Sequence, residues 1–179
     1  TQLVPVPFTL KVDRTIQRLI SEGFLGELLF VDMRILNKTF IETDSQLHWR
    51  QDRDLSGYNT LYLGIWYETL MRWVGPATKV LANSRIFVSE RLGPDGKMHP
   101  IRVPDQVDVM CDLGGRAQAR MTFSTVTGFA PDGEVWLFGS KGTLMLNVTS
   151  LALYGGSKDD QGLSEIPIPE DEQAFWRQP

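Results

Sequence analysis

The chain has 179 residues, 42% of them apolar and 22% charged, which allows one sizeable core and excludes a disordered chain. With 18 basic residues against 22 acidic ones, the net charge of -4 argues against a nucleic-acid footprint. One cysteine, Cys111, excludes an internal disulfide framework, and one Cys with two His cannot close a zinc site of those ligands.

No apolar run is long enough to span a bilayer, and no secretory leader is visible, so no membrane partner is expected. The lone cysteine fits a reducing, cytoplasmic setting. The chain does not start with Met, and is read as a piece of something longer. Residues 1–179 are expected to form a single domain.

Pro5 and Pro7 push the segment up to Phe8 into extended geometry. Asp13 then caps a short helix with Ile16, Leu19 and Ile20 on one face, ended by Gly23. A strand follows from Leu25 to Leu36. The stretch from Asn37 to Leu55 is polar and long for a connection, a pattern often associated with function. The main helix begins at Ser56 or Asn59, runs to Val74 and stops at Gly75-Pro76. It is apolar on two sides, with Glu68 and Arg72 paired on its wetter edge.

Val80 to Ser89 reads as a strand. Val107, Val109, Cys111 and Leu113 then alternate with polar residues, as do Ala117, Ala119, Met121 and Phe123. Matching the two apolar faces puts Leu113 opposite Ala117 and Val109 opposite Met121, around a Gly114-Gly115-Arg116 loop. A second hairpin joins Val135–Phe138 to Thr143–Val148 through Gly139-Ser140-Lys141-Gly142, and Leu151–Tyr154 is a further strand. Residues 155–179 are acidic and contain proline. The pattern gives an α+β fold: an open, antiparallel-rich mixed sheet, with helices packed on one face and the other face free.

Few motifs carry chemistry. Gly139-Ser140-Lys141-Gly142 is a hairpin turn rather than a phosphate loop, because strand-like runs flank it. Cys111 is a small buried hydrophobe, and His99 an exposed loop residue. His48 is crowded by Trp49, Arg50 and several carboxylates. Two readings stay open there. Trp49 plugs the core while Arg50 pairs with Asp52 or Asp54, or Arg50 grips a ligand carboxylate or phosphate at two points. Asn59, Tyr62 and Trp66 share one face at the start of the main helix. That strip either lines a ligand cleft or packs Trp66 into the core with Tyr62 at the rim.

Taken in order, these segments resemble the C-terminal domain of the Gfo/Idh/MocA family of NAD(P)-dependent oxidoreductases. Glu22-Gly23-Phe24-Leu25-Gly26-Glu27-Leu28 resembles its first strand and the approach to it. Trp49-Arg50 with Ser56-Gly57-Tyr58 resembles its loop, and Leu63 through Gly75 its long helix. Asp105, Val107 and the Gly114-Gly115 hairpin resemble its "D-x-V" strand, and Gly139 through Leu144 its "G-x-x-G-T-L" turn.

The resemblance implies NAD or NADP held by an N-terminal Rossmann domain that this sequence does not contain, so this part is not expected to hold the cofactor tightly alone. It implies a sugar, cyclitol or related polyol as substrate, and a homo-oligomer formed through the open sheet face, where Met110, Arg120 and Thr122 lie. It places the substrate site at Arg50, Asn59, Tyr62 and Trp66, with His48 and Tyr58 nearby. One departure is central. The family's helix carries an Asp and a His one turn apart, and here those positions are Tyr62 and Trp66. Indole exchanges no proton near neutral pH, whereas a phenol can donate one, which leaves Tyr62 as the candidate acid. The alternative is a non-catalytic paralogue that binds a ligand or partner.

Overall fold

The computed structural model describes residues 10–57 and 62–173. Tyr58 and Asn59 of the expected site, and the extended segment up to Phe8, lie outside them. In chain order the elements are α1 (Asp13–Ser21), β1 (Leu28–Leu36), a 3-10 turn (Trp49–Gln51), α2 (Arg53–Ser56) and α3 (Leu63–Val74). Then come β2 (Lys79–Arg85), β3 (Glu90–Leu92), β4 (Met98–Pro100), β5 (Gln106–Asp112) and β6 (Gln118–Ser124). The chain continues through β7 (Glu134–Gly139), β8 (Gly142–Asn147), β9 (Leu153–Ser157), β10 (Ser164–Ile166) and a 3-10 turn (Glu170–Glu172).

Eight strands form one sheet in the order β10-β9-β8-β7-β1-β6-β5-β2, and β3 with β4 forms a separate ribbon. Every other pairing in the eight-stranded sheet is antiparallel, but β1 and β6 run parallel, with Val31 beside Ala119 and Met33 beside Met121. The sheet is therefore mixed and antiparallel-rich. The β5–β6 register has Val109 opposite Met121, and Leu113 N–H donates to Ala117 O at 2.9 Å. Gly115 takes φ +71° in that loop, a conformation that suits glycine.

Alternation along the strands separates two faces. Val31, Met33, Val109, Cys111, Met121, Phe123, Leu137 and Leu144 are buried with Ile16 and Leu19 of α1 and Leu70 and Trp73 of α3. Burial pushes the Cys111 thiol up, as expected of a packing residue. Asp13 ties the two helices. It is not the cap but the first helical residue, and its carboxylate accepts from Leu10 N–H at 2.9 Å, Arg72 Nη2 at 2.8 Å and Trp73 Nε1 at 2.8 Å. Burial raises its carboxyl above the ordinary aspartate range, against the pull of Arg72 and Trp73.

The opposite face carries Asp32, Arg34, Met110, Arg120, Thr122, Glu134 and Trp136. Arg120 grips Asp32 at 3.0 and 2.9 Å, Arg34 bonds Glu134 at 2.8 Å, and Trp136 stacks on Phe138 at 5.6 Å.

Several boundaries differ from expectation for visible reasons. β1 starts at Leu28, because Gly26 has φ +67° and closes a turn onto Gly23 O at 2.9 Å. The strand expected over Val80–Ser89 ends at Arg85, because the Asp105 carboxylate takes the N–H groups of Phe87 and Val88, at 2.7 and 3.1 Å. The last strand of the second hairpin group starts at Leu153 rather than Leu151, which has φ +55°. The main helix starts at Leu63, because Tyr62 takes a left-handed φ of 63°. The Glu68–Arg72 pair forms as expected, at 2.5 Å.

Candidate functional site

Parallel pairing brings the carboxyl ends of β1 and β6 together. Asn37 N–H donates to Ser124 O at 2.8 Å, and Thr125 N–H to Asp105 O at 3.0 Å. Just beyond these ends lies a cleft of about 390 Å³. One wall is Asn37, Asp105 and Thr125 with Val103 and Pro104; the other is His48, Arg50, Gln51 and Tyr62. A crevice outside strand carboxyl ends is a common place for a ligand.

The long polar connection delivers its residues through local caps. His48 N–H donates to Gln51 Oε1 at 3.0 Å, and Arg50 N–H donates to His48 Nδ1 at 3.2 Å. A backbone donor on Nδ1 fixes the neutral ring as the Nε2–H tautomer, leaving a donor. Asp52 caps α2 by accepting from Asp54 N–H at 2.8 Å. It is therefore occupied by the backbone, and neither Asp52 nor Asp54 pairs with Arg50. Instead the Arg50 guanidinium lies 4.1 Å from the Trp49 ring centroid, a cation–π contact that holds it at the cleft. Trp49 is half exposed and does not plug the core. His99 sits in β4 rather than a loop, its ring 2.8 Å from the Asp95 carboxylate, which is held below its ordinary range.

The structure brings Tyr62, Arg50 and His48 to one cleft. It does not bring Trp66 there: the indole packs against the hydrophobic core. Asn37, Gln51, Asp105 and Thr125 are cleft residues that the sequence reading did not single out as site residues. Asp105 belongs to the "D-x-V" strand motif, but nothing local in sequence shows that its neighbours close a cleft.

The Gly139–Gly142 turn offers no phosphate cradle. Ser140 N–H donates to Glu27 O and Lys141 N–H to Leu25 O, both at 2.9 Å. These two N–H groups are therefore not free to cradle a phosphate. Among them no group of His, Cys, Asp and Glu comes together to hold a metal ion, and no helix is long and apolar enough to cross a membrane.

An oxidoreductase domain protein from Kribbella flavida has the same fold, with a TM-score of 0.79, 20% identity, and coverage of 92% of this chain and 48% of that one. Levoglucosan dehydrogenase in complex with NADH and L-sorbose gives a TM-score of 0.76, 19% identity, and coverage of 87% and 45%. An inositol dehydrogenase homolog complexed with NAD+, from Azotobacter vinelandii, gives 0.71, 16%, 88% and 41%. The chain thus spans less than half the length of these proteins. No curated protein sequence matches it. Residues 14–145, well over half of the chain, match the GFO/IDH/MocA C-terminal domain, and the chain belongs to that family.

Proposed function

We propose that this is the substrate-binding and oligomerisation domain of an NAD(P)-dependent oxidoreductase acting on a sugar, cyclitol or related polyol. The observation that carries the reading is the cleft at the β1 and β6 carboxyl ends, where a phenol, an imidazole and a guanidinium converge. Its polar walls suit a hydroxylated molecule. The Arg50 guanidinium and the His48 Nε2–H are donors for substrate oxygens, and Asp105 and Gln51 offer acceptors. Tyr62, half exposed, is the group placed to hold or move a proton at a substrate hydroxyl. In this reading NAD or NADP is bound by a Rossmann domain outside this chain, and the setting is the cytoplasm. Sugar and inositol dehydrogenases among its structural neighbours support the substrate class.

Self-association through the open sheet face belongs to the same reading. Met110 and Leu81 are exposed there beside an apolar hollow of about 260 Å³, and a polar-apolar mixture suits a wet interface.

The test joins the domain to a Rossmann domain in one polypeptide and measures NAD(P)-linked turnover over a polyol and sugar panel. Turnover on a member of the panel, lost in Arg50→Ala, is the expected result. Cofactor binding without turnover on any member favours a second reading, a non-catalytic ligand-binding paralogue. One observation favours that alternative: Trp66, at the family's histidine position, packs against the hydrophobic core and does not line the cleft that holds Tyr62.

A further inference from the structure

We propose that a second hollow beside the cleft is a carboxylate-binding subsite built on Arg91, so that the bound molecule is an acidic sugar derivative rather than a neutral polyol. This rests on the cleft being the substrate site.

Arg91 lies at the centre of β3, between exposed Glu90 and Leu92, and is only 5% exposed. Its Nη1 donates to Ser45 O at 3.3 Å and to Ser45 Oγ. Its Nε is buried without a hydrogen-bond partner. Among the described residues no carboxylate forms an ion pair with it. Other guanidinium groups of the sheet and helices differ: Arg120 holds Asp32, Arg34 holds Glu134, and Arg72 holds Asp13 and Glu68. Each of those is more exposed than Arg91, yet each has a counter-charge. A buried cation with only neutral partners is unfavourable, and an anionic ligand removes that penalty.

The guanidinium has somewhere to receive one. Arg91 lines a hollow of about 200 Å³ together with Ser45, Gln51, Asp105 and Thr125. Gln51, Asp105 and Thr125 also line the cleft, so the two spaces share a wall. A molecule with its hydroxyl at Tyr62 and an acid group at Arg91 spans both. Asp105 forms no ion pair with Arg91; its Oδ2 instead accepts from Phe87 N–H and Val88 N–H. Glu42, the other acid on the wall, is exposed. With Glu42 and Asp105 also on the wall, a singly charged carboxylate meets less like-charge repulsion there than a doubly charged phosphate. Arg120 shows the available geometry in the same molecule, gripping Asp32 with Nε and Nη2 together.

The test uses the 179-residue chain, labelled with 15N and titrated with acetate, glucose and glucuronate. Acetate is expected to move the Ser45 and Arg91 signals. Glucuronate is expected to move these and the His48 and Gln51 signals, and to bind at least about tenfold more tightly than glucose. Arg91→Lys keeps the charge and loses the fork, and is expected to bring glucuronate down to the glucose affinity. If that variant does not fold, the wild-type comparison decides alone. Glucuronate binding no tighter than glucose, with both moving His48, overturns the subsite and leaves the cleft reading standing. Acetate and glucuronate moving Ser45 and Arg91 but not His48 supports the subsite and overturns the cleft reading. No movement with any probe overturns both.

Discussion

Trp66 donates its backbone N–H to the Tyr62 carbonyl at 3.1 Å, one helical turn apart, yet the two rings go to different places. Tyr62 stands before the helix at φ 63°, a conformation uncommon for a residue with a side chain, and its ring stays at the cleft. Trp66 is helical and packs on the core. In the joined two-domain protein, Tyr62→Phe is expected to lower turnover at least about tenfold, as loss of a general acid does. Its melting temperature should stay at the wild-type value, because Tyr62 is half exposed and lines the cleft. Unchanged turnover removes Tyr62 from the mechanism. Trp66→Ala is expected to do the opposite at the level of folding, costing about 3 kcal/mol in denaturant titration.

That divergence marks where local pattern stops being informative. Period-two alternation placed Val109 opposite Met121 and Leu113 opposite Ala117, because a one-residue slip would turn Cys111 and Phe123 to solvent. The Gly139–Gly142 turn was equally readable. The parallel pairing of β1 with β6 was not, since partners such as Phe30 and Gln118 lie 88 positions apart in sequence and no local rule joins them. The break after Arg85 depends on Asp105, whose carboxylate reaches back across the fold to the N–H groups of Phe87 and Val88. Arg91 and Ser45 illustrate the same limit: each looks like an ordinary surface residue until the long connection folds over β3.

Gly139 shows why the turn motif has glycine at its first position. A Cβ there would lie 2.1 Å from Leu25 O, because the chain before β1 runs directly against the turn. Backbone cannot swing aside as a flexible side chain can. Gly139→Ala is expected to destabilise the fold by about 3 kcal/mol, the upper end of ordinary overpacking. Gly64 is the internal control: it is helical, and a Cβ there meets nothing within 4 Å. Gly64→Ala is expected to gain about 0.5 kcal/mol from helix propensity. Equal effects of the two substitutions on urea unfolding would contradict the steric account.

The free sheet face makes a prediction about assembly. Met110 is 56% exposed and Leu81 72%, on adjacent strands in register. A two-fold interface repeats any substitution on both sides, so one new charge acts twice. Met110→Glu is expected to turn a dimer into a monomer in light scattering while the circular dichroism spectrum stays unchanged. A monomeric wild type, or a dimer that survives the substitution, counts against this face as the contact.

The Glu172 carboxylate fastens the C-terminal segment to α1, beside a bond from Arg14 Nη1 to Asp171 O at 3.2 Å. Glu172 Oε1 accepts from Arg18 Nε at 2.5 Å, and Glu172 Oε2 accepts from Thr15 Oγ1. Arg18, and then Thr15, hold the Glu172 carboxyl below the ordinary glutamate value of 4.5. The unfolded chain therefore takes up this proton at a higher pH than the folded one. The contribution of Glu172 to stability is fully present above that ordinary value, and is lost as pH falls through the depressed value. Glu172→Gln removes the linkage. The difference in melting temperature between wild type and this variant is expected to stay constant from neutral pH down to about 4.5, then close as the solution becomes more acidic. Added salt should shrink it, because Arg18 is 39% exposed and partly screened. A difference that persists undiminished well below the ordinary glutamate range would show that the clasp does not depend on the ionised carboxylate.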